Sequence, residues 1–153
     1  MQLPASGTRG PKKIVRRMMR MTSWWGNRMF RRGAEAQGRP LLELTTVGAR
    51  SGKERHTILG WFPDDNDRAE SWIVVAANGG SAWHPAWAHN LAKDPHRVTV
   101  DRGDGPVEVN AALLASPERE AAWKRVVALA PAYTSFMART DRELPVFRLT
   151  RQT

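Results

Sequence analysis

What most limits the fold of this chain is a succession of short apolar, β-branched runs separated by turn-forming or acidic segments. They are Pro40–Val47 (PLLELTTV), His56–Phe62 (HTILGWF), Ser71–Ala77 (SWIVVAA), Arg97–Asp101 (RVTVD), Val107–Leu114 (VEVNAALL) and Val146–Thr150 (VFRLT). Such runs read as strands, because branched and aromatic side chains pack well on a pleated surface. The polar loop Asp64–Glu70 makes the second and third runs a natural antiparallel hairpin. Helical signals are fewer. Ser116-Pro117-Glu118 combines a capping hydroxyl, a first-turn proline and an acid near the dipole, and starts a helix to about Ala130 with Trp123, Val126, Val127 and Ala130 on one face. Pro85–Lys93 and Tyr133–Arg139 read as short helices. Adjacent strands without βαβ alternation predict a mainly β, α+β fold: a small closed barrel with helices packed outside.

At 153 residues the chain has the length of one domain. Its formal charge of +9 is concentrated at one end. Residues 1–39 hold ten of the 24 Lys and Arg residues against Glu35 alone, whereas the remaining residues balance fourteen cations with fourteen acids. A basic, flexible N-terminal region (1–39) therefore precedes a neutral body (40–153). Within the first region, Pro4, Gly7, Gly10 and Pro11 mark a flexible tail. From Lys12 to about Arg32, Ile14, Met18, Met21 and Trp25 recur on one helical face with Lys13, Arg16, Arg17 and Arg20 opposite. Such a helix suits anionic lipid headgroups at the inner face of a membrane, and it suits equally a cover packed over the barrel. The Lys12–Arg20 stretch lacks the continuous apolar core of a signal peptide, and no run reaches the roughly 18–20 apolar residues needed to span a bilayer. A cytoplasmic protein, with peripheral membrane contact as one reading, is expected. The neutral body and the lack of a recognition motif argue against nucleic acid as a partner.

With no cysteine, disulfides, thiolate metal sites and cysteine nucleophiles are excluded. His84 and His89 stand five apart, which does not put them on one helix face, so no metal site is expected. Two segments carry chemistry. Gly48-Ala49-Arg50-Ser51-Gly52-Lys53-Glu54-Arg55 packs three cations, a hydroxyl and two interior or flanking glycines into one strand-to-strand connection. Glycine lets backbone N–H groups approach an anion and arginine adds paired planar donors, so phosphate or carboxylate binding competes here with a solvated basic turn. Asn78–Leu91 (NGGSAWHPAWAHNL) places a tight turn before two tryptophans, two histidines and an asparagine. A flat aromatic ligand against this surface and plain core roles for Trp83 and Trp87 are both open.

Taken together, LLELTTVGARSGKER, WIVVAANGGSAWHPAWAHNLAKDP, VTV, APAYTSF and DRELPVFRL resemble the deazaflavin (F420)-dependent nitroreductase and quinone reductase family, an actinobacterial-type group. The likeness covers roughly residues 14–150. It implies a split β-barrel like that of flavin reductases and the cofactor F420, an 8-hydroxy-5-deazaflavin with a phospholactyl-polyglutamate tail. Arg50, Ser51 and Arg55, around Gly52, match positions that hold the phosphate and the acidic tail. Asn78, Gly79 and Gly80, preceded by Ala77, match the turn beside the ring. Pro85, Trp87 and Asn90 match helix-side contacts, with Ile58 and Trp61 on the facing strand.

The resemblance also implies reduction of a quinone, nitro or other electrophilic acceptor, lipid-soluble or small, by hydride from the reduced cofactor. Trp25, Trp61 and Phe136 are its candidate substrate contacts and Tyr133 its candidate proton donor, alongside a bound water. Ala77 and Asn78 stand where a nitroimidazole-activating member has serine and lysine, and Ala130 and Phe136 where it has tyrosines; nitroimidazole activation is therefore not expected. The alternatives are a split barrel that takes FMN or haem instead, and a non-catalytic F420 carrier.

Overall fold

The computed structural model describes residues 1–10, 35–36, 39–65 and 69–153. Among them are β1 (Glu35–Ala36), β2 (Arg39–Val47), β3 (Glu54–Gly60), β4 (Phe62–Pro63), β5 (Ser71–Val75), β6 (Val98–Asp101), β7 (Pro106–Leu113) and β8 (Val146–Arg151). The helices are α1 (Ala86–Lys93), α2 (Glu118–Leu129) and α3 (Ala132–Arg139), with a 3-10 turn at Asn78–Gly80. The amphipathic helix expected from Lys12 to Arg32, Trp25 included, lies outside the described residues.

All strand pairings are antiparallel, in the order β3–β2–β6–β7–β8–β5–β4, with β1 folding onto the start of β2. This is the mainly β split-barrel architecture that the sequence predicts. Side-chain alternation makes it curl. Leu42, Leu44 and Thr46 of β2 are buried while Glu43, Thr45 and Val47 turn outward. In β5 both faces are covered: Trp72, Val74 and the following Ala76 enter an inner core, Ile73, Val75 and Ala77 an outer one. That double burial is why Trp72–Ala77 is apolar throughout rather than alternating.

The hairpin expected between the second and third runs forms only in part. Phe62 and Pro63 face Ile73 and Trp72, but residues 54–60 pair with β2, placing Leu59 opposite Leu42. The stretch breaks at Trp61, whose N–H donates to the Pro40 carbonyl at 3.1 Å. Leu59 packs on the inner core and Phe62 lies in the outer one. One continuous stretch therefore meets both edges of the sheet and draws it toward a barrel. Helix α1 contributes Trp87, Ala88 and Leu91 to the inner core, and α2 and α3 cover the outer one with Ala122, Val126 and Tyr133. Fully buried Leu91 and Val126 each contribute about 1.5–3 kcal/mol, the alanines about 1 kcal/mol or less.

Three local expectations change. Pro117 rather than Ser116 caps α2, and the Ser116 hydroxyl donates to the Glu120 carboxylate at 2.6 Å. Residues 4–9, read as flexible tail, are hydrogen-bonded to the body: Gly7 N–H donates to the Ala82 carbonyl at 2.6 Å, and the Thr8 and Arg9 N–H groups to the Asp141 carboxylate at 2.7 and 3.0 Å. Asp64, read as a solvated loop acid, has a fully buried side chain that accepts from Arg148 and from the Ser71 hydroxyl. Burial raises that carboxyl's pKa, but the hydrogen bonds from Arg148 and Ser71 outweigh it and hold it below the ordinary value. No helix among the described residues is long and apolar enough to cross a membrane.

Candidate functional site

The basic connection between β2 and β3 is a tight, self-bonded loop. Gly52 N–H donates to the Gly48 carbonyl at 2.9 Å and Gly48 N–H to the Lys53 carbonyl at 2.7 Å. Gly52 has φ +68°, a left-handed conformation that glycine takes without strain. The Ser51 Oγ accepts from Lys53 N–H at 3.2 Å and, at the long limit, from Arg55 Nη2 at 3.5 Å. Its lone pairs are thus used inside the loop, and the hydroxyl proton is left to donate outward. Arg50, Ser51, Lys53 and Arg55 are all exposed. Four exposed donors within six residues, three of them cationic, could receive an anion from solvent.

Asn90 locks this loop in place. It is 6% exposed; its Oδ1 accepts from Ala49 N–H at 2.8 Å and its Nδ2 donates to Thr46 Oγ1 at 3.0 Å. Lys93 Nζ, one turn further along α1, donates to the Ala49 carbonyl at 2.6 Å. The C-terminal half of α1 is therefore clamped against the loop. A cavity of about 460 Å³ opens alongside, lined by Glu54 and Glu108 as well as by Arg97 and His96.

The N-terminal side of α1 leads back to the turn at Asn78–Gly80. Asn78, Gly79 and Gly80 have φ of +47°, +62° and +78° in succession. A Cβ on Gly80 would stand 2.6 Å from the Phe136 carbonyl and 2.8 Å from Arg139 Cβ. Only glycine lets the turn sit this close to α3. Asn78 Nδ2 donates to the Trp83 carbonyl at 3.0 Å, closing the segment on itself. Five residues, Ser81–Pro85, connect the turn to the eight-residue helix α1.

Behind the turn lies a group that the sequence reading missed. Arg142 is 4% exposed, and its guanidinium donates to the carbonyls of Ser81 (2.7 Å), Ala76 (3.1 Å) and Ala77 (2.7 Å) and to His84 Nδ1 (3.1 Å). Burial lowers its pKa to about 10, so it is a cation at neutral pH. His84 Nε2 lies 2.7 Å from the Pro4 carbonyl. A carbonyl only accepts and a guanidinium only donates, so His84 is the neutral tautomer with its proton on Nε2. Burial, more than the neighbouring Arg142 charge, lowers its pKa. His84 and His89 do meet, edge to face at 5.9 Å. His84 precedes the first residue of α1, so helical spacing does not govern the pair. Among the described residues no three His, Asp or Glu side chains converge as a metal site.

The remaining sequence-predicted residues separate. Trp87 is 8% exposed and packs against Phe147 at 5.8 Å in the inner core. Pro85 is half-buried and caps α1. Ile58 pairs opposite Glu43 on the outward face of β2–β3, the face away from Leu42 and Leu59, whereas Trp61 packs partly on the inner core under the Arg102 guanidinium at 5.1 Å. Tyr133 is 6% exposed between Phe62 (5.3 Å) and Phe136 (5.2 Å), and burial pushes its hydroxyl pKa up to about 12. The β2–β3 connection and the Asn78–Gly80 turn are thus linked along the chain by Ser81–Lys93, whose helical part is bonded to the connection through Asn90 and Lys93.

Comparison with known proteins bears on this pairing. The family model for F420H(2)-dependent quinone reductase matches residues 17–151. An F420H(2)-dependent quinone reductase of Mycobacterium tuberculosis is 33% identical over 116 residues, 74% of each chain. The solved structure of an F420-H2 dependent reductase superposes with a TM-score of 0.63 at 36% identity, covering 72% of this chain and 94% of that one. The haem storage protein HutZ of Vibrio cholerae, at 14% identity and a TM-score of 0.50 over 83% and 88% of the two chains, shares the fold alone. The matched span contains the anion loop, the α1 clamp, the glycine turn and Arg142, and the chain belongs to the F420H(2)-dependent quinone reductase family.

Proposed function

We propose that this oxidoreductase transfers hydride from reduced F420 to a quinone or a related electrophilic acceptor, with the cofactor lying along α1. The observation that carries the assignment of residues is the cluster of exposed cations and a hydroxyl in the β2–β3 connection, held in place by Asn90 and Lys93 of that helix. Arg50, Ser51 and Arg55, assisted by Lys53, take the phosphate and glutamate tail. Asn90 and Lys93 hold the loop so that these donors are positioned before the cofactor arrives, which lowers the ordering cost of binding. The Ala77–Gly80 segment takes the ring, with the Asn78 N–H facing its polar edge.

When bound, the cofactor supplies a two-electron hydride from ring carbon C5. The chain positions and shields. Trp61 and Phe136 border the acceptor. Tyr133, buried and with its proton held to about pH 12, is a wall of the site, and solvent water delivers the proton that the reduced acceptor needs. The sequence resemblance and the exposed cations favour F420 over FMN and haem, which other split barrels take. The basic segment 12–32 brings the protein to anionic membrane, where lipid-soluble quinones reside; co-sedimentation with anionic vesicles, lost when residues 1–32 are removed, checks this.

The deciding experiment titrates the purified chain with F420, FMN and haem, then follows oxidation of reduced F420 by menadione. Charge reversal at Arg50 and Arg55 should lower F420 affinity at least about a hundredfold, two charge-assisted contacts being lost. Unchanged affinity would remove the loop assignment. Tight F420 binding without quinone-dependent oxidation would make the protein a carrier.

A further inference from the structure

We infer that Arg142 is a positioning residue for the cofactor ring: through the Ala77–Asn78 peptide it orients and polarises the Asn78 N–H as the hydrogen-bond donor to the ring's polar edge. The inference rests on the ring-side role proposed above for the Asn78–Gly80 turn.

Three features support it. Arg142 is a buried cation with no carboxylate partner among the described residues, although acids flank it on both sides. Asp141 accepts from Thr8 and Arg9, and Glu143 pairs with Arg119 at 3.0 Å. A cation buried without a counter-ion is costly, and here only hydrogen bonds to main-chain carbonyls and His84 offset that cost. Second, the guanidinium spends its donors on the main chain that brackets the turn. It reaches Ala77 at the entry and Ser81 at the exit, while Nη1 bridges to Ala76 and His84. The Ala77 carbonyl also accepts from Gly80 N–H at 2.9 Å, so two donors hold it.

Third, peptide planarity transmits this grip. In a trans peptide the carbonyl and the next residue's N–H point in opposite directions. Drawing the Ala77 oxygen toward Arg142 therefore aims the Asn78 N–H away from the buried cation. A charge on the oxygen side also polarises the amide and strengthens its N–H as a donor.

The test uses the full chain carrying Arg142→Lys and Arg142→Met, both checked for native far-UV circular dichroism. Each is expected to bind F420 about tenfold or more weakly, as one well-made hydrogen bond is worth. Lysine should restore less than half of the loss because it cannot reach Ala77 and Ser81 together. The absorption band of bound F420 should shift relative to the wild-type complex, which a merely structural role would leave unmoved. Folded variants with wild-type affinity and an unshifted band overturn the inference. If neither variant folds, the Asn78 amide proton of the ¹⁵N-labelled wild-type chain decides: it should move downfield when F420 is added, and a stationary resonance overturns the inference. Wild-type chain without F420 affinity would instead sink the proposed function itself, so the two failures are distinguishable.

Discussion

Replacing Asn90 with leucine tests how the anion loop is held. Leucine keeps the volume at a position 6% exposed but removes both polar ends. The Ala49 N–H loses its acceptor at 2.8 Å, and Thr46 Oγ1 loses its donor at 3.0 Å. A satisfied hydrogen bond contributes about 1 kcal/mol net, and a buried group left unpaired costs about 1–3 kcal/mol. Ala49 is half-buried, so its N–H recovers a water partner and falls at the lower end. Thr46, at 3% exposure, does not. The sum is about 2–3 kcal/mol, which for a chain of this size lowers Tm by about 5–10 °C. Urea and thermal melts would measure it, with Thr46→Val as the control that removes one bond and costs about 1 kcal/mol. F420 affinity should fall by about tenfold but not vanish, because Lys93 still anchors the Ala49 carbonyl at 2.6 Å. A variant that melts within about 2 °C of wild type, below the shift one lost bond should produce, with unaltered affinity, would refute the clamp.

Gly80→Ala should destabilise by about 2 kcal/mol or more, since left-handed backbone costs an L-residue roughly 1–2 kcal/mol and its Cβ would stand 2.6 Å from the Phe136 carbonyl; a melt indistinguishable from wild type would deny the close approach of turn and α3. Asp64→Asn should cost about 1.5–3 kcal/mol at neutral pH, the worth of hydrogen bonds to a charged group. The Asp64 carboxyl titrates below its unfolded value, so its contribution is full above that value and is lost as pH falls through the lowered native one. Urea melts from pH 7 down to pH 2 should show wild type and variant converging only at the acid end, and convergence already near pH 5 would contradict the pairing with Arg148. Tyr133→Phe should retain most quinone-dependent oxidation of reduced F420 and cost little stability; a loss of activity of about a hundredfold or more, the scale of general acid catalysis, would make Tyr133 the proton donor after all.

The strands were legible because each run carries its own periodicity and its own stop. Val98, Val100, Val109 and Ala111 alternate inward as their spacing requires. Short helices opened by Pro85, Pro117 and Pro131 were visible for the same local reason. The basic β2–β3 connection could be read because its cations are contiguous: the donors from Arg50 to Arg55 are neighbours in sequence and are all exposed. Arg142 was not legible. DRELPVFRL counts only as a block of the family resemblance, and nothing local distinguishes the arginine that is buried from the two acids that stay outside.

The amino-acid order by itself determined the inventory: which segments extend, which coil, where the backbone must be glycine, and where cations gather. Pairing was decided elsewhere. That residues 54–63 serve two sheet edges, that Asp64 meets Arg148 across 84 positions, and that Arg142 grips Ala77 across 65 follow from burial of two separate cores. Hydrogen bonds between distant residues leave no periodic trace in the chain. They form because packing places those groups where water cannot satisfy them.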